Sequence, residues 1–293
     1  MRRKGFYNLI SEFVNEIDLL RQLQGEDRII KLHDYEKVVG EEEDLLYVVM
    51  EKGDTDLALL IKKYTVNKEI TPAMIKHYWS EMLHAVAVVH KKGVIHKDLK
   101  PANFMLVAGR LKLIDFGIAS SIQSDKTSII TDNAQGTFNY MSPESIQDLS
   151  GPQGKRRLCV KINFKTDVWS LGCILYQLTY GKLPFADIKH PLMKLQAITN
   201  HDHQIPFPEL TDVDPRLVVV IKSCLERDVR RRASVEDLLT HSFLKEEALP
   251  TPVPVVNQAV NSLKMLEALE GVLSPNTFKK TKEGFRLVSQ LEK

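Results

Sequence analysis

The sequence predicts an α+β fold, with short strands gathered early and helices dominating from about residue 71 onward. Three observations carry this. Apolar residues recur at helical spacing near the start, at Leu9, Ile10, Phe13, Ile17 and Leu20. Two short runs rich in apolar and β-branched residues follow, Ile29–Tyr35 and Leu45–Met50, separated by the acidic turn Gly40-Glu-Glu-Glu-Asp44. After Thr71 the apolar pattern returns to the helical period and keeps it through most of the chain.

Each element has its own signal. The first helix carries Glu16 among its apolar residues and is predicted to stop at Gly25. Thr71-Pro72 is a helix start, Thr71 as N-cap and Pro72 in the first turn. Ile75, Trp79, Met82, Leu83 and Val86 then line one face as far as Gly93. Phe104–Ile114 reads as a hairpin turning at Ala108-Gly109. Val168–Tyr180 is the next strongly apolar helix, followed by helices near Pro191–Thr199, Asp214–Glu226 and Val235–Thr240. Ser150–Lys161, rich in Gly and basic residues, is predicted to be a mobile loop. Leu249-Pro-Thr-Pro-Val-Pro254 marks a linker, and Asn257–Leu273 and Thr281–Leu291 are candidate tail helices.

Composition narrows the function classes. The 293 residues are 43% hydrophobic and 27% charged, which excludes a wholly disordered or fibrous chain. Forty Lys and Arg stand against 38 Asp and Glu, so a general nucleic-acid binder is not expected, and the lack of a long apolar stretch argues against a membrane protein. No apolar stretch reaches the about 20 residues a membrane span requires. Cys159, Cys173 and Cys224 are too few and too scattered for a disulfide framework or a zinc site, and read as reduced thiols of the cytoplasm or nucleus.

The chemistry concentrates in His96-Lys-Asp-Leu-Lys-Pro-Ala-Asn103, followed after the hairpin by Asp115-Phe-Gly117. Two carboxylates and a carboxamide at the ends of neighbouring strands suit phosphoryl transfer. One carboxylate orients an attacking hydroxyl and accepts its proton, while the second, with the carboxamide, holds magnesium against the phosphates. Asp98 fits the first role, and Asn103 and Asp115 fit the metal roles.

These residues resemble the catalytic loop and metal-binding motif of eukaryotic protein kinases. Ser142-Pro-Glu144, Asp167-Val-Trp-Ser-Leu-Gly172 and Arg232 follow in the family's order. Lys100-Pro-Ala-Asn-Phe104, Leu111–Ala119, Gly136–Met141 and Asp167–Tyr176 are similar to the monopolar spindle kinases, a dual-specificity group of the spindle checkpoint. The resemblance implies a small β lobe with one helix and two or three strands (1–52), a mainly α-helical large lobe (53–248), and a linker with a helical tail (249–293). It implies ATP and Mg2+ as cofactors. Protein serine and threonine hydroxyls, with tyrosine a further acceptor, are the implied substrates, and kinetochore or spindle proteins the implied partners and location.

Residue roles carry over on the same basis. Lys100 pairs with the transferring phosphate, and Thr137 contacts Asp98 and helps select hydroxyl substrates. Glu16 matches the helix glutamate that pairs with a strand lysine. Met50 matches the gatekeeper and also reads as a plain buried strand residue, the two being compatible. Glu51, Lys52 and Gly53 match the hinge whose backbone binds adenine. Thr127, Ser128 and Thr131 are activation-segment phosphosites. His96 packs against the following Phe-Gly turn and takes no part in catalysis. Arg232 pairs with Glu144. Lys97 departs from the usual arginine and gives up its bidentate fork, which predicts looser coupling to activation-segment phosphorylation.

The front of the chain departs from the family. Of the 14 glycines, only Gly5, Gly25 and Gly40 precede the hinge, and no two glycines are two positions apart, so the sequence holds no Gly-x-Gly-x-x-Gly loop. Lys4 is the only lysine ahead of Glu16, and no strand precedes it. The expectation is a truncated small lobe with an uncovered apolar face, and weak or no turnover by this chain alone. The alternative is a kinase-fold scaffold or binding module that has lost phosphoryl transfer.

Overall fold

The computed structural model describes residues 17–38, 45–67, 69–116, 137–150, 163–210 and 213–245, with the backbone alone at 137 and 147–150. The chain separates into two compact units, residues 1–245 and 246–293, and every described residue belongs to the first. Residues 9–16 of the expected first helix, the 40–44 turn, Thr127, Ser128, Thr131, the 151–161 loop and the tail lie outside the described residues.

Helix α1 (residues 17–22) ends in a turn at Gly25, whose φ of +91° only glycine adopts freely. Strands β1 (Leu32–Val38) and β2 (Leu45–Met50) form an antiparallel pair. The strand expected over Ile29–Tyr35 therefore begins later. Ile29 and Ile30 are buried and pair elsewhere: Leu113 N–H donates to Arg28 O at 2.8 Å, and Ile30 N–H donates to Leu113 O at 3.0 Å. The Arg28 guanidinium binds Glu81, whose carboxylate also accepts from Leu111 N–H at 3.0 Å. Both of these bonds go to Leu113, whereas Leu32–Val38 pair with Leu45–Met50, a division of the run that a linear apolar pattern does not reveal.

Strand β3 (Thr55–Asp56), β4 (Phe104–Val107) and β5 (Arg110–Leu113) make a second antiparallel sheet in the order β3-β4-β5. The hairpin turns at Ala108 and Gly109, as expected, both with positive φ (49° and 82°), the two-residue turn whose twist matches paired strands. Helix α2 (Leu57–Asn67) follows β3 directly; Asp56 caps it by accepting from Leu59 N–H at 2.9 Å.

Helix α3 (Pro72–Lys91) starts on the expected cap: Thr71 Oγ1 accepts from Met74 N–H at 3.2 Å. Ile75, Trp79, Met82, Leu83 and Val86 are all buried. Short helix α4 (Pro143–Ser150) begins at the Ser142-Pro-Glu segment, with Ser142 Oγ accepting from Ser145 N–H. Helix α5 (Lys165–Tyr180) is buried on every side from Thr166 to Tyr176, as a central helix must be. A Cβ at Gly172 would lie 2.5 Å from the Cys224 Cβ, so glycine there lets α5 and α7 (Pro215–Cys224) approach closely. Helices α6 (Pro191–Thr199) and α8 (Val235–Leu239) complete the helical lobe, with α8 against α3. No described helix is long and apolar enough to cross a membrane.

Candidate active site

The segment following α3 turns at Gly93 and runs under the N-terminus of α5. Asp167, in the first turn of α5, is fully buried and accepts three hydrogen bonds: His96 N–H at 2.9 Å, Lys97 N–H at 2.8 Å and His90 Nε2 at 2.7 Å. Burying a carboxylate costs several kcal/mol. Hydrogen bonds to a charged group contribute about 1.5–3 kcal/mol each, so three of them offset that cost and fix the loop's backbone. Lys97 sits at φ 70° and Asp115 at φ 59°, strained for side-chain-bearing residues by about 1–3 kcal/mol apiece. The Asp167 clamp on Lys97 N–H is what holds the first of them.

From that loop a continuous path of polar contacts runs across the site. Lys100 Nζ lies 2.8 Å from Asp98 Oδ2. Lys100 N–H donates to Asn103 Oδ1 at 3.1 Å. Asn103 Nδ2 donates to Asp115 Oδ2 at 3.2 Å, and Ile114 N–H donates to Asn103 O at 2.9 Å. Asn103 is buried in the 3₁₀ turn Pro101–Asn103 that leads into β4, and Asp115 follows β5. The β4–β5 hairpin therefore brings the carboxamide and the second carboxylate together, while Asp98 and Lys100 stay half-buried beside them.

Asn103 and Asp115 are hard-oxygen side chains side by side, the donor set that suits Mg2+, which takes one or two protein oxygens and completes its shell with water and phosphate. Among the described residues no three His, Cys, Asp or Glu converge into a denser metal cluster. His96 is fully buried, with its ring 5.7 Å from that of Phe116. Burial pushes its pKa down and outweighs the nearby carboxylates of Asp167, Asp115 and Asp98, so the ring is neutral and packs.

The hinge residues lie between β2 and β3. Met50 is 44% exposed, so the buried-strand reading of it is wrong: the described residues leave that part of β2 uncovered. Glu51 N–H donates to Lys31 O at 2.9 Å, and its carboxylate accepts from Lys31 N–H and Lys112 Nζ, both at 2.7 Å. Burial alone raises the Glu51 pKa, but these bonds outweigh it and leave the carboxyl below the usual range. A Cβ on Gly53 would fall 2.2 Å from Met105 Cγ, so the hinge backbone rests directly on the Met105 side chain. Thr137 opens the 3₁₀ turn Thr137–Tyr140, with its side chain outside the described residues, and Glu16 lies outside them altogether. Beyond the site, Glu144 and Arg232 meet as expected in a buried bidentate pair at 2.7 and 3.0 Å.

The residue that sequence reasoning passed over is Asp167. It was visible only as part of a motif. An acid opening an otherwise apolar helix was the signal that it serves a buried backbone.

Comparison with known proteins gives a consistent picture. The family model for the protein kinase domain matches residues 3–244. The chain is 44% identical over 274 residues to the dual specificity protein kinase TTK of Mus musculus, covering 93% of this chain and 31% of that protein. It is 46% identical over 251 residues to the serine/threonine-protein kinase mph1 of Schizosaccharomyces pombe, covering 80% and 36%. Against the serine/threonine-protein kinase MPS1 of Saccharomyces cerevisiae it is 38% identical over 244 residues, covering 80% and 31%. The chain spans about a third of the length of these relatives.

Proposed function

Because the chain belongs to the protein kinase family, we propose that its site transfers the γ-phosphoryl group of ATP to serine and threonine hydroxyls of proteins, with tyrosine as a further acceptor. The carrying observation is the unbroken polar path from Asp98 through Lys100 and Asn103 to Asp115. In this reading Asp98 orients the attacking hydroxyl and takes its proton. Lys100 stands 2.8 Å from that carboxylate, where its ammonium meets the transferring phosphate. Asn103 and Asp115 would hold Mg2+, which would supply charge neutralisation for the phosphates. Asp167 keeps Asp98 in place through the backbone on its N-terminal side. Thr137 and Glu16 take the roles that the family's pattern gives them, and Met50, Glu51 and Gly53 form the adenine edge. Substrates and location follow the relatives' group: proteins of the kinetochore and spindle.

The other reading weighed from the sequence is a kinase-fold binding module. The two are separated by incubating the 293-residue chain with labelled Mg-ATP and a general serine/threonine protein substrate. The kinase reading predicts slow transfer that Asp98→Ala lowers by about 10²-fold or more, the usual contribution of a positioned base. Transfer unchanged by Asp98→Ala overturns the role given to Asp98, and no transfer at all supports the binding module for this polypeptide.

A further inference from the structure

A cavity lies away from the phosphoryl-transfer site. About 560 Å³ in volume, it opens between the C-terminal end of α3, the N-terminal end of α5, and α8. Its floor is apolar, made by Ala87, Val168, Val235 and Leu239, and one wall is the Phe164 ring. This is the size and lining of a small-molecule site.

Two observations say what chemistry suits it. Lys91 and Lys165 flank the apolar floor, with Glu236 the one carboxylate among the described residues lining the cavity. Lys165 Nζ is partly engaged, donating to Arg230 O at 3.2 Å. Lys91 is exposed and has no ion pair among the described residues. An apolar pocket with an uncommitted ammonium at its edge complements an aliphatic body ending in a carboxylate.

The same cavity touches the relay that fixes the catalytic loop. His90 lines it and stacks against Phe164 with ring centroids 4.8 Å apart. The other side of His90 is the 2.7 Å bond to Asp167, the carboxylate that also holds His96 and Lys97 N–H. Phe164 is 41% exposed, so it is the wall with room to move. A molecule entering beside it presses on His90, whose polar partner among the described residues is Asp167.

We propose that the cavity between α3, α5 and α8 binds a medium-chain aliphatic carboxylate, its chain on Val168, Val235 and Leu239 and its head at Lys91, and that occupancy is felt at the His96 and Lys97 amides through His90 and Asp167. The inference does not depend on phosphoryl transfer, since binding and amide exchange are read without ATP.

The test uses the full 293-residue chain with dodecanoate, below its micelle concentration, and dodecanol as a chargeless control. Calorimetry is expected to show saturable binding of dodecanoate that is at least threefold tighter than that of dodecanol. Leu239→Trp, which fills the floor, is expected to weaken binding at least tenfold. Lys91→Glu, at an exposed position that folding tolerates, removes the preference for the carboxylate. Hydrogen exchange at the His96 and Lys97 amides is expected to change on binding, with those of α6 unaffected. Absent or non-saturating binding overturns the site, as does equal affinity of wild type and Lys91→Glu for dodecanoate. Saturable binding with unchanged exchange at 96 and 97 overturns the coupling.

Discussion

Asp98, Asn103 and Asp115 derive their position from residues that never touch a substrate. Asp167 holds the loop backbone, and Asn103 bridges Lys100 and Asp115 by one amide. Replacing Asn103 by Ala removes both bonds while leaving Asp98 and Lys100 chemically intact. Its expected signature is loss of phosphotransfer with circular dichroism unchanged; full activity contradicts the bridging role. The buried Glu144–Arg232 pair makes a separate prediction. Burial raises the Glu144 pKa, but the bidentate Arg232 bonds and the Thr166 hydroxyl outweigh it, so the folded value lies below that of the unfolded chain. Stability from this pair is therefore present above about pH 4.3 and lost as pH falls through the folded value. Arg232→Ala leaves a buried carboxylate unpaired and is expected to cost about 3–5 kcal/mol at neutral pH. In denaturant titrations the cost should shrink below pH 4, and a constant cost across pH contradicts the assignment.

Among the elements, the hairpin between Asn103 and Asp115 sets the spacing of the site. Its turn places Ala108 at φ 49°, where a Cβ is strained and Asn is the favoured residue before glycine. Ala108→Asn is expected to raise stability by about 0.5–1 kcal/mol by thermal unfolding, and a fall in melting temperature contradicts this turn assignment. That hairpin, β2, α3 and α6 were legible from sequence because each pairs a clean period with a turn or cap: Ala108-Gly109, Thr71-Pro72, Pro191. Helix α2 was not read, although Asp56 as cap followed by Leu57, Leu60, Ile61 and Tyr64 is a helical face. Its Thr65-Val66 end and its start directly on a two-residue strand obscured the boundary. The Ile29–Tyr35 run failed differently. Ile29 and Ile30 are apolar because Leu113 and the core cover them, and strand pairing between distant segments leaves no local mark.

At the scale of the whole molecule, the helical lobe buries most of its apolar residues in one core, whereas every residue of β2 except Leu46 is exposed. Tyr47 is 56% exposed and Val49 53%, neighbours of the exposed Val38 and Leu45. An uncovered two-stranded sheet is a surface for association. Val49→Lys is accordingly expected to reduce concentration-dependent scattering with little change in melting temperature, and unchanged scattering contradicts this. Asp98, Lys100, Asn103 and Asp115, singled out by order and spacing, are brought together by the fold. The clamp that holds them was not read: an acid opening an apolar helix marks a buried polar role, but nothing local says which distant amides it binds.

The claim on which the account rests is that Asn103 and Asp115 form one metal-binding centre beside Asp98. Electron paramagnetic resonance of Mn2+ titrated into the 293-residue chain with a non-hydrolysable ATP analogue tests it most directly. The account predicts a bound signal that Asn103→Ala and Asp115→Ala each weaken at least about tenfold, while Asp98→Ala leaves it within about threefold. Binding curves that coincide for wild type, Asn103→Ala and Asp115→Ala would contradict it.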